Sequence, residues 1–90
     1  MYDVTVMPSA KRDIRHIDRS VIPRIFESLH SLERDPFPPG HVKVKGRRGL
    51  VRIRIGDYRV IYAVNTVLKQ VLVYHIHLRD ETTYKKLLLL

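Results

Sequence analysis

An α+β domain, with a helical hairpin packed on one face of a mainly antiparallel sheet, is predicted by three features of this chain. Apolar residues recur at helical spacing in the first third and alternate in the remainder, the two periods that helices and half-buried strands impose. A break rich in Pro and Gly, Asp35-Pro36-Phe37-Pro38-Pro39-Gly40, separates the two regimes. The length, 90 residues at 44% hydrophobic and 29% charged, supports one core and little else, since a chain this short buries only about 60% of the surface its unfolded form exposes. Residues 1–90 are therefore expected to form a single domain, without internal repeats or low-complexity segments.

The elements follow in order. Residues 2–7, Tyr-Asp-Val-Thr-Val-Met, alternate and are rich in β-formers, so they read as a first strand. Pro8-Ser9 ends it, and Ser9 suits an N-cap. Ala10, Ile14 and Ile17, with charges between them, then make a short amphipathic helix. Ser20 suits the cap of a second helix that tolerates Pro23 in its first turn, and Ile22, Ile25, Phe26, Leu29 and Leu32 form its apolar stripe. So little chain separates the two helices that an αα-hairpin is expected. Beyond the break, strands are expected over residues 41–45, 50–55, 58–64 and 70–77. Residues 80–90 read as a short C-terminal helix with Tyr84, Leu87 and Leu88 on one face. The four leucines 87–90 cannot all face inward, which leaves apolar surface exposed.

Several classes are excluded. No apolar run approaches the roughly 18–20 residues that span a bilayer. The first residues lack the basic-then-apolar pattern of a secretion signal, so a soluble, cytoplasmic protein with no membrane partner is expected. The absence of cysteine rules out a disulfide framework, a thiolate metal site and a cysteine nucleophile. The charge balance points elsewhere. Seventeen Lys and Arg against nine Asp and Glu leave a net +8, and residues 41–59 hold seven basic residues with Asp57 as their single acid. A stripe this dense attracts polyanions, phosphate above all.

The segment from Leu50 to Tyr62 says how that charge is displayed. Gly56-Asp57 suits a two-residue hairpin turn, since both residues tolerate positive φ. That turn pairs Ile55 with Tyr58, Arg54 with Arg59, Ile53 with Val60 and Arg52 with Ile61. Val51, Ile53, Ile55, Tyr58, Val60 and Tyr62 then share an apolar face, and Arg52, Arg54 and Arg59 emerge on the other. Like charges placed directly opposite cost up to about 1 kcal/mol, which folding alone has no reason to accept. A bound anion gives the reason, because arginine binds phosphate bidentately and keeps its charge. The competing reading is a solvated patch neutralised by loop acids, of which Asp57 is nearest in sequence.

The run Arg52-Ile53-Arg54-Ile55-Gly56-Asp57-Tyr58-Arg59-Val60-Ile61-Tyr62 resembles the core signature of the RelE/ParE toxin superfamily. Residues 36–46, the Ser9-Ala10-Lys11 start of the first helix and the closing Arg79 and Tyr84 are similar to the same family, so the resemblance runs in order over essentially the whole chain. It implies a RelE-like fold and a toxin of a type II toxin–antitoxin pair. It further implies an endoribonuclease that cuts messenger RNA, usually in the ribosomal A site, and so inhibits translation. In that reaction the ribose 2′-hydroxyl attacks the adjacent phosphorus, leaving a 2′,3′-cyclic phosphate and a 5′-hydroxyl, with no metal or other cofactor.

Carried over residue by residue, Arg59 matches the arginine that stabilises the transition state. Arg79 matches the C-terminal catalytic arginine, and Tyr84 the tyrosine that stacks on or orients the RNA. Arg52 and Arg54 stand where the best-known member has two lysines. That departure matters, because a lysine of depressed pKa can act as a base and an arginine cannot. His77 is then the first candidate for the base, followed by His75, Tyr84 and Glu81. Lys43, Lys45, Arg47 and Arg48 are expected to hold the RNA or ribosomal RNA backbone without reading bases. Tyr58, Tyr62 and Tyr74 are expected in the core. The resemblance also implies an antitoxin whose acidic, partly disordered segment wraps the toxin. It leaves open a ParE-like DNA gyrase inhibitor and a catalytically inert nucleic-acid-binding relative.

Overall fold

The computed structural model describes residues 1–79. Their order is β1 (Asp3–Val6), α1 (Pro8–Ile14), α2 (Ile22–Ser31), β2 (Val42–Lys43), β3 (Leu50–Ile55), β4 (Tyr58–Asn65) and β5 (Gln70–Leu78). The five strands form one sheet in the order β1-β5-β4-β3-β2. Neighbouring strands are antiparallel except β1, which runs parallel to β5 from Asp3 opposite Gln70 to Val6 opposite Val73. The fold is the expected α+β arrangement of a helical hairpin on a mainly antiparallel sheet. The C-terminal helix expected over 80–90, with its leucines, lies outside the described residues.

The core forms where the helical stripe meets the inward face of the sheet. Ala10, Ile17, Ile25, Leu29 and Leu32 bury against Val51, Ile53, Ile55, Tyr58, Val60, Tyr62, Val71, Val73 and Ile76. Burying one Val, Leu or Ile side chain contributes about 1.5–3 kcal/mol, so this seam fixes which sheet face the hairpin covers. Two tyrosines sit there as expected and satisfy their hydroxyls. Tyr62, fully buried, donates to the Pro36 carbonyl at 2.7 Å, and the Tyr58 hydroxyl accepts the Asp18 N–H at 3.3 Å.

The helix ends differ from expectation. α1 stops at Ile14 rather than continuing to Ile17, and the residue preceding its Pro8 is Met7, without a side-chain cap. Ser9 lies inside the helix and its hydroxyl instead donates to the Tyr74 carbonyl at 2.5 Å. Ser20 does not cap α2 either. Val21 holds that position, while Ser20 donates its N–H and hydroxyl to Asp18 in the turn ahead. The helix starts explain the loss: α1 begins at Pro8, which places Ser9 inside its first turn, and of the two N–H groups that Ser20 would serve, that of Ile22 donates to the Arg19 carbonyl and Pro23 has none. Phe26, placed by spacing on the buried stripe, is 45% exposed.

Two features of β5 set up the functional surface. β1 pairs with only its first four residues, and α1 takes over the remaining edge. Met7 N–H donates to Val73, Ser9 to the Tyr74 carbonyl, and the Ile76 N–H donates to Asp13 Oδ2 at 3.0 Å. Helix side chains thus satisfy backbone groups that a longer β1 would have paired. The second feature is a bulge. Tyr62 pairs with Val73 but Ile61 pairs with His75, so Tyr74 is the additional residue. An added residue inverts the alternation beyond it. Val71 and Val73 point inward before the bulge, Ile76 points inward after it, and His75 and His77 are turned to the opposite face. Tyr74 is consequently half-buried and not a core residue.

Candidate nucleic-acid interface

The β3–β4 hairpin has the register expected from its turn residues. Arg54 lies opposite Arg59, and Arg52 opposite Ile61. Gly56 turns the chain at φ +58°, and a Cβ built there would stand 3.3 Å from Arg24 Nη1, so the tip combines left-handed backbone with close approach. β5 extends each pair into a row across the face opposite α1 and α2. One row is Arg54–Arg59–His77 and the next is Arg52–Ile61–His75. Strand spacing makes each row about 10 Å wide, and the rows lie about 7 Å apart along the strands. Three guanidinium groups and two imidazoles therefore share a patch suited to one phosphate and its ribose.

Side-chain detail sharpens the patch. Arg54 Nε donates to the Gly56 carbonyl at 2.9 Å, which draws that guanidinium towards the hairpin tip. Arg79, following β5, donates its N–H to the Asp57 carbonyl at 2.7 Å, so the same turn brings its α-carbon beside the first row. Arg47 and Arg48 line a groove of about 580 Å³ on this face, together with Ile61, Ala63, Tyr74 and His75. Ile61 is 4% exposed yet faces away from the helices, and forms an apolar floor between Arg52 and His75.

Not every residue expected in the site joins it. Lys43 pairs with Val51, so the register turns it to the helix-side face at the sheet edge. Lys45 is exposed in the turn after β2. Tyr84 and Glu81 lie outside the described residues. The structure adds Asp13, which sequence reading missed. Its Oδ2 stands 3.4 Å from His75 Nδ1 and 3.8 Å from His77 Nε2. The two rings stack with centroids 5.1 Å apart and planes at 19°. The His-x-His spacing on a strand was visible, but no local signal ties a helix carboxylate to a strand more than sixty residues later.

Such a face can neutralise a phosphate whose charge increases during a reaction, with an imidazole at the end of the same row able to take up a proton. Relatives agree with the architecture. The family model described as ParE toxin of type II toxin-antitoxin system, parDE, matches residues 4–83. The chain belongs to this family of type II toxin–antitoxin toxins, within the RelE/ParE superfamily. Among solved structures, it is similar to the archaeal RelE–RelB complex from Pyrococcus horikoshii, with 28% identity, a TM-score of 0.77, and coverage of 88% of this chain and 96% of that chain. The toxin–antitoxin complex RelBE2 from Mycobacterium tuberculosis shares the fold at TM-score 0.76 and 22% identity, covering 87% of this chain and 98% of that one. The isolated E. coli RelE toxin shares it at TM-score 0.74 and 19% identity, covering 97% and 96%. No curated protein matches the chain.

Proposed function

We propose that the protein is an mRNA interferase, a metal-independent endoribonuclease that cuts messenger RNA in the ribosomal A site and so arrests translation. The observation that carries this reading is the row Arg54–Arg59–His77, which sets two fixed cations beside an imidazole on the sheet face opposite α1 and α2. His77 takes the proton of the ribose 2′-hydroxyl as the 2′-oxygen bonds to the adjacent phosphorus. Arg59 and Arg54, with Arg52 in the next row, hold the oxygens of the phosphorane that forms. The bond from phosphorus to the 5′-oxygen then breaks, and that oxygen leaves with a proton from solvent. The products are a 2′,3′-cyclic phosphate and a 5′-hydroxyl. Arg79 supports the charge at the turn end of the row, and Tyr84 stacks on or orients the RNA. Arg47 and Arg48 hold its backbone along the groove, while Lys43 and Lys45 meet ribosomal RNA from the sheet edge.

An antitoxin completes the pair in this reading. A +8 chain suits an acidic, partly disordered segment, and the P. horikoshii and M. tuberculosis relatives were solved as toxin–antitoxin complexes. A cytoplasmic site of action goes with it, and among the described residues no helix is long and apolar enough to cross a membrane.

A second reading, a ParE-like inhibitor of DNA gyrase, is favoured by arginine at both 52 and 54, where a lysine base would serve an RNase, and by the ParE description of the matching family. Mapping RNA 5′ ends after brief induced expression separates the two. Cuts within translated codons that vanish in Arg59→Ala support the nuclease, with a loss of about 10²–10³ in cleavage rate expected from removing one transition-state donor. Growth arrest with intact messages and linearised DNA would transfer the assignment to gyrase. Neither arrest nor cuts would mark an inert relative that only binds nucleic acid.

A further inference from the structure

Among the described residues, Asp13, His75 and His77 each bring one ligating atom within 4.8 Å of the other two. Two of those separations are 3.4 Å and 3.8 Å, from Asp13 Oδ2 to His75 Nδ1 and to His77 Nε2. First-row divalent ions hold such atoms at about 2.0–2.2 Å, which places neighbouring ligand atoms about 3.3 Å apart round a tetrahedral centre. The cluster is thus near the required size without an ion.

A second observation points the same way. His75 Nδ1 is buried and has no hydrogen-bond partner. Its 3.4 Å separation from Asp13 is an ion-pair distance without the alignment of a hydrogen bond. Leaving such a nitrogen unsatisfied costs about 1–3 kcal/mol, and folded proteins rarely do so. Supports for a ligand set are also present. Asp13 Oδ2 accepts the Ile76 N–H at 3.0 Å, which fixes the carboxylate against β5. The bulge at Tyr74 turns both imidazoles to one face, stacked at 5.1 Å. Asp13 and His77 open onto a cavity of about 250 Å³ that His16 also lines, leaving room for water or a further ligand on an ion.

We infer that Asp13, His75 and His77 form a three-ligand site for a divalent first-row transition ion, Zn²⁺ foremost. Two imidazoles and one carboxylate suit Zn²⁺, Co²⁺ and Ni²⁺, and disfavour Mg²⁺ and Ca²⁺, which prefer oxygen alone. A neutral His77 with one ring nitrogen on the ion carries its proton on the other and can accept none, so the filled site and the proposed RNA reaction, which uses His77 as its base, exclude one another. Binding is read without RNA, which keeps a failure here distinct from a failure of the nuclease assignment.

The test uses the full chain, made by cell-free synthesis without a histidine tag and stripped by chelator. It is titrated with Zn²⁺ by calorimetry and with Co²⁺ by visible absorption. One ion per chain is expected, with d–d bands of a nitrogen- and oxygen-ligated Co²⁺ and a rise in Tm on adding Zn²⁺. His75→Gln and His77→Gln, verified as folded by circular dichroism, are each expected to weaken binding by at least about 10-fold. His41→Gln, whose imidazole sits on the Pro38 carbonyl at 2.9 Å, should bind as the parent does. No binding by the parent, or binding unchanged in both folded variants, would overturn the site and leave the cluster as an ion pair at the sheet edge.

Discussion

Tyr62→Phe removes one oxygen from the centre of the molecule. The ring is fully buried, and its hydroxyl donates to the carbonyl of Pro36, itself buried, at 2.7 Å. Phenylalanine fills the same volume, so no cavity forms and the cost is that of leaving the Pro36 carbonyl unsatisfied, about 1–3 kcal/mol. For a domain of this size that lowers Tm by about 4–8 °C per kcal/mol. The variant also carries a signature in pH. Burial, reinforced by the Asp35 carboxylate, pushes the Tyr62 phenol well above its ordinary value. The folded state therefore holds this proton more tightly than the unfolded chain. Its contribution to stability is complete below about pH 10, the unfolded value, and is lost as pH rises beyond it.

Urea unfolding of parent and variant from pH 7 to 11.5 measures both effects. The parent should exceed Tyr62→Phe by a constant margin up to about pH 9.5. Above about pH 10 the margin should shrink by up to about 1.4 kcal/mol per pH unit, because only the parent must give up a buried proton. Curves that stay parallel throughout would refute the claim that this hydroxyl is held neutral in the core. A variant as stable as the parent at pH 7 would refute the role of the hydrogen bond that ties the 35–40 break to the sheet.

Two further outcomes separate folding from function on the same strands. Arg54→Thr removes one of two directly opposed cations, so it should raise stability by up to about 1 kcal/mol in thermal unfolding. It should also weaken single-stranded RNA binding and reduce the slope of log K against log salt by about 0.7; a destabilised variant with unchanged RNA affinity would make Arg54 a structural residue. Deleting Tyr74 restores strict alternation in β5 and directs His75 and His77 into the core. It should therefore unfold the domain or drive Val71 and Val73 outward, seen as lost near-ultraviolet dichroism, whereas native-like spectra would show that the bulge is dispensable.

The hairpin was legible because its signals are local. Gly56-Asp57 supplies the turn, and an alternation of period two then decides the faces and the register together, so Arg54 meets Arg59 as expected. The same locality explains the misses. Ser9 and Ser20 have the chemistry of N-caps, but α1 begins ahead of Ser9 at Pro8, Pro23 lacks an N–H that Ser20 would serve, and Ser9 found a partner on β5 that no window along the chain contains. The parallel pairing of β1 with β5 leaves no trace in either strand's pattern. Lys43 groups with the arginines by charge alone, and its pairing with Val51 places it on the other face. Phe26 fits the helical stripe, yet it is 45% exposed.

The bulge at Tyr74 links the fold to the proposed chemistry. Val71 and Val73 are fully buried, and strict alternation would bury His75 and His77 beside them. A buried imidazole needs partners on both nitrogens, and the apolar seam of helices offers none. One additional residue resolves the conflict, returning Ile76 to the core and giving both histidines to the arginine face. The bulge falls beyond the last residue paired with β1, where α1 bonds the strand edge through Ser9 and Asp13. There an irregular strand costs no ladder partner on that side, and the carboxylate that stitches the edge is the one that meets the imidazoles. A helix satisfying backbone groups through side chains therefore gives this sheet a place for histidines that a fully paired β1 could not have supplied.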